Sequence, residues 1–245
     1  MPMQRWLAAG LVPGLAVMLA AAAAVRSQPA PNVAPPAEPR VLAESRFRVT
    51  EAPNQAELIA LIVDFPRGAW TSLHTHGGQA INLVLEGEIT LRQGGVDRPH
   101  RAGQSWSDST GQVHAAGNTG AGPARLLTNF LLPRGAPQIT VIQETPFGPA
   151  VTYEARFPLP KLPADADIVS QVLDLPPGRR AERPNAGFTA TVVMEGEVGY
   201  GVGATLKTYR AGESWSAPAG VVVREGNADK ARVFTTHLLA APAKP

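Results

Sequence analysis

Arg101-Ala102-Gly103-Gln104-Ser105-Trp106-Ser107 returns as Arg210-Ala211-Gly212-Glu213-Ser214-Trp215-Ser216, 109 positions further along the chain. Leu85-Glu86-Gly87-Glu88 returns as Met194-Glu195-Gly196-Glu197 at the same offset, and Gly111 and Asn118 return as Gly220 and Asn227. One constant offset across separated blocks marks an internal duplication. The chain therefore contains two homologous units, 43–135 and 150–243, joined by a proline-containing connection over 136–149.

Both units read as β. In the first, 57–65 is a short apolar run closed by Pro66-Arg67-Gly68, 80–91 alternates, and 125–132 is a leucine-rich run. Their counterparts in the second are 168–175, 188–198 and 232–239. Along 80–91, Ile81, Leu83 and Leu85 share one face while Ala80, Asn82 and Val84 share the other. Apolar residues on both faces imply that one face packs a core and the other lines a cavity. The 24 glycines and 24 prolines favour many turns and short strands over long helices. The fold class expected is all-β, an antiparallel sandwich or barrel made twice.

Composition narrows the function. Hydrophobic residues make up 44% and charged ones 17%, the balance of a packed domain. The net charge is only +2 and no Lys/Arg run stands out, which argues against nucleic acid as a partner. With no cysteine, disulfides, thiolate ligands and cysteine nucleophiles are excluded. No GxGxxG, Walker or G-x-S-x-G spacing is present; the run Gly199, Gly201, Gly203 is not a nucleotide loop.

At the N-terminus, Arg5 precedes an Ala/Leu/Val-rich stretch from Leu7 to Val25 that ends in small residues before Arg26-Ser27-Gln28. That order reads as a secretory signal peptide over 1–27. The alternative is a retained anchor, against which Gly10, Pro13 and Gly14 interrupt the stretch. Residues 28–42 read as a Pro/Ala-rich linker. A periplasmic or secreted protein, free of the membrane once the signal is removed, is the expectation.

The candidate chemistry lies in three histidines. His74 and His76 are two apart on an expected strand, so both imidazoles share a face, and His114 on a later strand can reach the same spot if a barrel closes. Three imidazoles suit Zn, Fe, Ni or Cu and leave positions open for water or substrate. The alternative is a polar surface pair beside the Gly77-Gly78 turn, or a vestigial cluster.

With these residues in place, the chain resembles the cupin superfamily. Gly68 is followed by five residues and then His74-Thr75-His76, and Gly87 closes that first motif; Gly103, Gly111, His114 and Asn118 match the second, with Ser109 in place of its proline. The resemblance covers essentially everything after the linker and implies two tandem jelly-roll barrels. It departs at Ala80, where the family carries a glutamate ligand. Asn82, on the face of Ala80, and Gln79, of the opposite parity, are the candidates to stand in for it. Arg183, Asn185 and Val223 occupy the second unit's equivalents of His74, His76 and His114, so that unit keeps the fold signals and loses every ligand. His100 is expected to be solvent-exposed, Trp106 and Trp215 to be packing elements, and His237 to take roughly the place of Phe130.

The resemblance implies one divalent metal on His74, His76 and His114, Fe(II) being favoured over Zn, Ni, Cu or Mn. It also implies a small organic substrate, aromatic or enolic, facing Ala80, Asn82 and Phe130. A metal-dependent dioxygenase is the first expectation and a non-catalytic small-molecule or metal binder the second, in a monomer or a homodimer.

Overall fold

The computed structural model describes residues 38–50, 52–203 and 205–241. The expected signal peptide and residues 28–37 of the linker lie outside the described residues. Nineteen strands and no helix make up the described chain. In order these are β1 (Arg40–Val49), β2 (Ala56–Phe65), β3 (Leu73–Thr75), β4 (Gln79–Glu86), β5 (Glu88–Gln93), β6 (Val96–Arg101), β7 (Ser105–Asp108), β8 (His114–Gly117) and β9 (Ala124–Pro133). There follow β10 (Thr140–Gln143), β11 (Ala150–Pro158), β12 (Ala166–Leu175), β13 (Arg180–Pro184), β14 (Phe188–Glu195) and β15 (Glu197–Val202). The chain ends with β16 (Lys207–Arg210), β17 (Ser214–Ala217), β18 (Val222–Gly226) and β19 (Ala231–Ala240).

They form four antiparallel sheets, two to a barrel. The first barrel pairs the sheet β11-β2-β9-β4-β7 with β10-β3-β8-β5-β6; the second pairs β1-β12-β19-β14-β17 with β13-β18-β15-β16. The alternating run expected over 80–91 is two strands, because Gly87 turns the chain at φ 71° and a side chain there would meet the backbone around Pro123. The Gly94-Gly95 turn, both residues at positive φ, closes β5 on β6 as a two-residue hairpin.

Spatial order departs from chain order at two strands. β1 precedes the first barrel yet runs antiparallel along β12 of the second, from Arg40 opposite Asp174 to Val49 opposite Ala166. β11 precedes the second barrel yet runs along β2 of the first, from Ala150 opposite Asp64 to Pro158 opposite Glu57. Without them, β2 and β12 would each present an unpaired edge. The connection over 136–149 also joins the first barrel, since β10 pairs with β3.

The period of two sorts side chains between two cores. On β2, β4 and β9, Leu58, Ala60, Ile81, Leu83, Leu127 and Leu131 face outward from the first barrel. They meet Ile168, Val172, Phe188, Val192, Phe234 and Leu238 of the second in one shared cluster. The opposite faces, with Ile59, Leu61, Ala80, Val84, Leu126 and Phe130, fill the first barrel, as Leu175, Val193, Val198, Trp215 and Val233 fill the second. Each large side chain so buried contributes roughly 1.5–3 kcal/mol. A buried hydrogen bond crosses the same contact, from Asn129 Nδ2 to Ser170 Oγ at 3.1 Å.

The asparagines repeated by the duplication are structural ties. Asn118 Nδ2 donates to the carbonyls of Phe65 and Gly122, and Asn227 Nδ2 to those of Pro176 and Asp229. Gly78 and Gly187 form another pair: a Cβ at either would run into the backbone carbonyl of Leu131 or Leu238 on the adjacent strand.

Because Phe234 is fully buried in the shared cluster, Phe234→Ala is expected to lower stability by roughly 3–5 kcal/mol. Urea unfolding monitored at each barrel separately, through Trp106 and Trp215, should show both transitions shifting together rather than the second alone.

Candidate metal centre

β3 carries His74 and β8 carries His114, directly opposite each other in the register, and His76 follows immediately after β3. The three rings have centroids 4.5–4.9 Å apart, and each residue is at most 5% exposed. One ring nitrogen from each lies within 4.8 Å of the other two.

The backbone decides which nitrogen that is. His74 Nδ1 lies 2.6 Å from the Ser72 carbonyl, His76 Nδ1 2.8 Å from that of Gln138, and His114 Nδ1 2.9 Å from that of Gln112. A carbonyl oxygen only accepts, so each Nδ1 bears a proton, and in the neutral form of each ring Nε2 presents a lone pair. Burial, ahead of the opposing hydrogen bonds to the carbonyls, lowers the pKa of His74 and takes that of His76 to about 4. Both are therefore neutral at pH 7, the form that ligates metals.

A carboxylate stands beside them that the motif reading passes over. Asp108, 1% exposed, ends β7 opposite Ala80, the position of the missing glutamate. Its Oδ2 is 3.5 Å from His114 Nε2 and accepts from Asn82 Nδ2 at 2.8 Å and Trp106 Nε1 at 3.0 Å; its Oδ1 is buried without a partner. Burial pushes the Asp108 carboxyl up, against the pull of His114, Trp106 and Asn82. The signal that would have found it is the duplication itself. Asp108 diverges to Ala217 at the same offset at which all three histidines diverge.

These groups fit a cation. When the His114 ring is neutral with its proton on Nδ1 and Asp108 is ionised, the Nε2 of His114 and Oδ2 of Asp108, 3.5 Å apart, are both acceptors. The unpaired Oδ1 adds a further acceptor in the same low-dielectric setting. Buried acceptors facing one another are costly unless a positive charge compensates them.

A cavity of about 360 Å³ opens onto the cluster. Its lining includes the apolar Leu61, Phe65, Leu126, Phe130, Ile139 and Val141 and the polar Asn82, Asp108 and Thr128. Phe130 packs its ring 4.8 Å from that of His76. Asn82 reaches the cavity but is engaged by Asp108 and Thr128. Gln79, of the other parity, bonds Ser107 instead. Ala80 is fully buried in the barrel core and is not part of the cavity wall.

The family model described as "Cupin domain" matches residues 61–130, the span that holds His74, His76, Asp108 and His114. Residues 61–130 are a cupin domain by this match. Among solved structures, YhaK from Escherichia coli aligns at a TM-score of 0.53 and 14% identity, covering 80% of this chain and 94% of that one. AerE from Microcystis aeruginosa aligns at 0.52 and 15%, covering 80% and 97%. Oxalate decarboxylase from Bacillus subtilis, a protein with Mn(II) centres, aligns at 0.51 and 14%, covering 85% and 80%. At these identities the likeness is one of fold, and it extends over both barrels. The HTH-type transcriptional regulator PuuR of Escherichia coli is 45% identical over 53 residues, 22% of this chain. The match spans only 29% of that curated relative's length.

The second cupin barrel shows what divergence has left. Thr189 and His237 face each other as Ala80 and Phe130 do, so His237 does take the place of Phe130. The cluster itself is replaced by Asn185, which is tied to Ala217, Pro218 and Thr189, and by Val223 in the barrel core. His100 departs from expectation: β6 turns it inward opposite Ile89, where it is half-buried and stacks on Trp106 at 4.6 Å. Trp106 in turn both packs and anchors Asp108.

His237 gives a pH-dependent prediction free of the metal ligands. Burial, then the nearby Arg183, takes its pKa from 6.5 to about 4. Between those values the unfolded chain binds a proton that the folded chain refuses, so stability should fall as pH drops through the window. Urea midpoints of the metal-free protein and of His237→Gln should diverge below about pH 6.5, the variant losing less.

Proposed function

We propose that this chain is an exported cupin whose first barrel holds one divalent transition metal on His74, His76 and His114. On this reading it acts as a metal-dependent dioxygenase on a small enolic or aromatic molecule. The observation that carries the metal reading is the convergence of three buried imidazoles, each with its Nδ1 held by a backbone carbonyl, beside a buried carboxylate with an unpaired oxygen. Fe(II), the ion favoured, would supply Lewis acidity and the capacity to activate oxygen; Zn, Ni, Cu and Mn accept the same ligands.

The chain's own residues supply the remainder. The apolar wall of Leu61, Phe65, Leu126 and Phe130 admits a small ring or diketone and keeps water out. Asp108, whose pKa is raised by burial, can take an enol or phenol proton at Oδ1 while Trp106 and Asn82 hold its Oδ2 in place. Export rests on the order of Arg5, the apolar stretch and the small residues before Arg26. The engagement of Asp108 Oδ2 by two donors favours, as a second reading, a site that binds without turnover.

Metal analysis of the protein reconstituted with Fe(II), Mn, Ni, Cu or Zn should give near one equivalent in the wild type and none in a His74→Ala/His114→Ala variant. Asp108→Asn should weaken binding by about 10–100-fold. Oxygen uptake with catechols and 1,3-diketones should require the loaded metal. Metal bound without product across both substrate series supports the binding reading, and no metal under any of these conditions overturns both.

A further inference from the structure

The duplication exposes a second site. In the first barrel Trp106 Nε1 donates to the Asp108 carboxylate at 3.0 Å. In the second barrel the tryptophan is kept as Trp215, 6% exposed and stacked on Tyr200, but Ala217 stands where the carboxylate was. The register makes the equivalence explicit: Ala217 lies opposite Thr189 as Asp108 lies opposite Ala80. Trp215 Nε1 is consequently a buried donor with no partner.

It is not alone. Trp215 lines a cavity of about 380 Å³ in the second barrel, together with Arg179, Arg183, Glu225, Thr191 and His237. Arg179 is only 8% exposed, and its Nη1 makes no hydrogen bond although Glu225 Oε1 lies 3.4 Å away. Arg183 Nη2 is 4.0 Å from the other oxygen of Glu225. Arg179, buried, and Arg183, exposed, thus both approach the Glu225 carboxylate, with Glu38 at the exposed rim of the cavity. A buried indole N–H and a buried guanidinium N–H both lack acceptors, and burial without an acceptor is costly for each.

We infer that the second barrel is a binding site for a small monocarboxylate, whose oxygens take the acceptor role that Asp108 fills in the first barrel. The carboxylate completes the hydrogen bonding of Trp215 Nε1 and Arg179 Nη1. Glu225, held beside Arg179, disfavours a ligand with a second negative charge. The loss of the histidines is then an exchange of one ligand chemistry for another. This site is independent of the metal reading of the first barrel.

The test uses the full chain with His74→Ala/His114→Ala in place, so that the first cavity holds no metal. Acetate and benzoate are titrated while the Trp215 indole N–H resonance, assigned with Trp215→Phe, and the thermal midpoint are followed. Benzoate or acetate should shift the resonance and raise the midpoint, whereas acetamide and benzamide should do neither. Arg179→Gln should weaken the response by at least about tenfold, as removal of a charged hydrogen-bond donor does. Ala217→Asp, which restores an internal carboxylate to Trp215, should abolish it. No response to either carboxylate overturns the inference, and so does an equal response to the amides. A response that survives both Arg179→Gln and Ala217→Asp overturns it as well.

Discussion

β1 and β11 each leave the unit they precede in the chain and hydrogen-bond along the edge of the other barrel. This exchange does more than cover open edges. It carries the segment between the units across the first barrel, where β10 pairs with β3 and the Gln138 carbonyl meets His76 Nδ1. His76 thus owes its tautomer to a residue 62 positions away, in a stretch whose prolines read as a plain connection. Ile139 and Val141 of the same stretch help to wall the cavity. The shared apolar cluster packs the two barrels against each other.

The histidine cluster is a problem in acceptor placement. Three Nε2 lone pairs and a carboxylate oxygen are gathered out of water, with every imidazole proton turned toward a carbonyl. In a medium of low dielectric such an arrangement is unfavourable alone and favourable around a cation. Position 80 carries alanine, and a buried carboxylate, Asp108, stands opposite it on the adjacent strand. Trp106 and Asn82 hold it there by donating to one oxygen and leave the other free.

The two barrels also show how one scaffold separates packing from chemistry. The repeated asparagines, the close-approach glycines and the tryptophans are retained in both, because each answers a demand of the backbone or the core. Of the residues that differ, those at 74, 76, 108 and 114 are buried in the first barrel, and their counterparts are buried in the second except Arg183, which is exposed. In the second barrel the tryptophan persists without its acceptor, a consequence of losing the carboxylate while keeping the core around the ring.

The β class, the duplication and the metal-type histidines are legible in the chain without coordinates. Periodicity, turn residues and motif spacing are local properties, and a repeat needs no structure to be seen. Strand parity also placed Asn82 toward the cavity and Gln79 away from it, since side chains alternate whatever the strand pairs with. What only the tertiary structure decided were facts about neighbours. Asp108 stands opposite Ala80 because β7 pairs with β4, His100 lies against Trp106 because β6 folds back on β5, and β1 and β11 change places. Such contacts depend on strand order and register, which arise from how sheets close and bury their faces and leave no local mark in the chain.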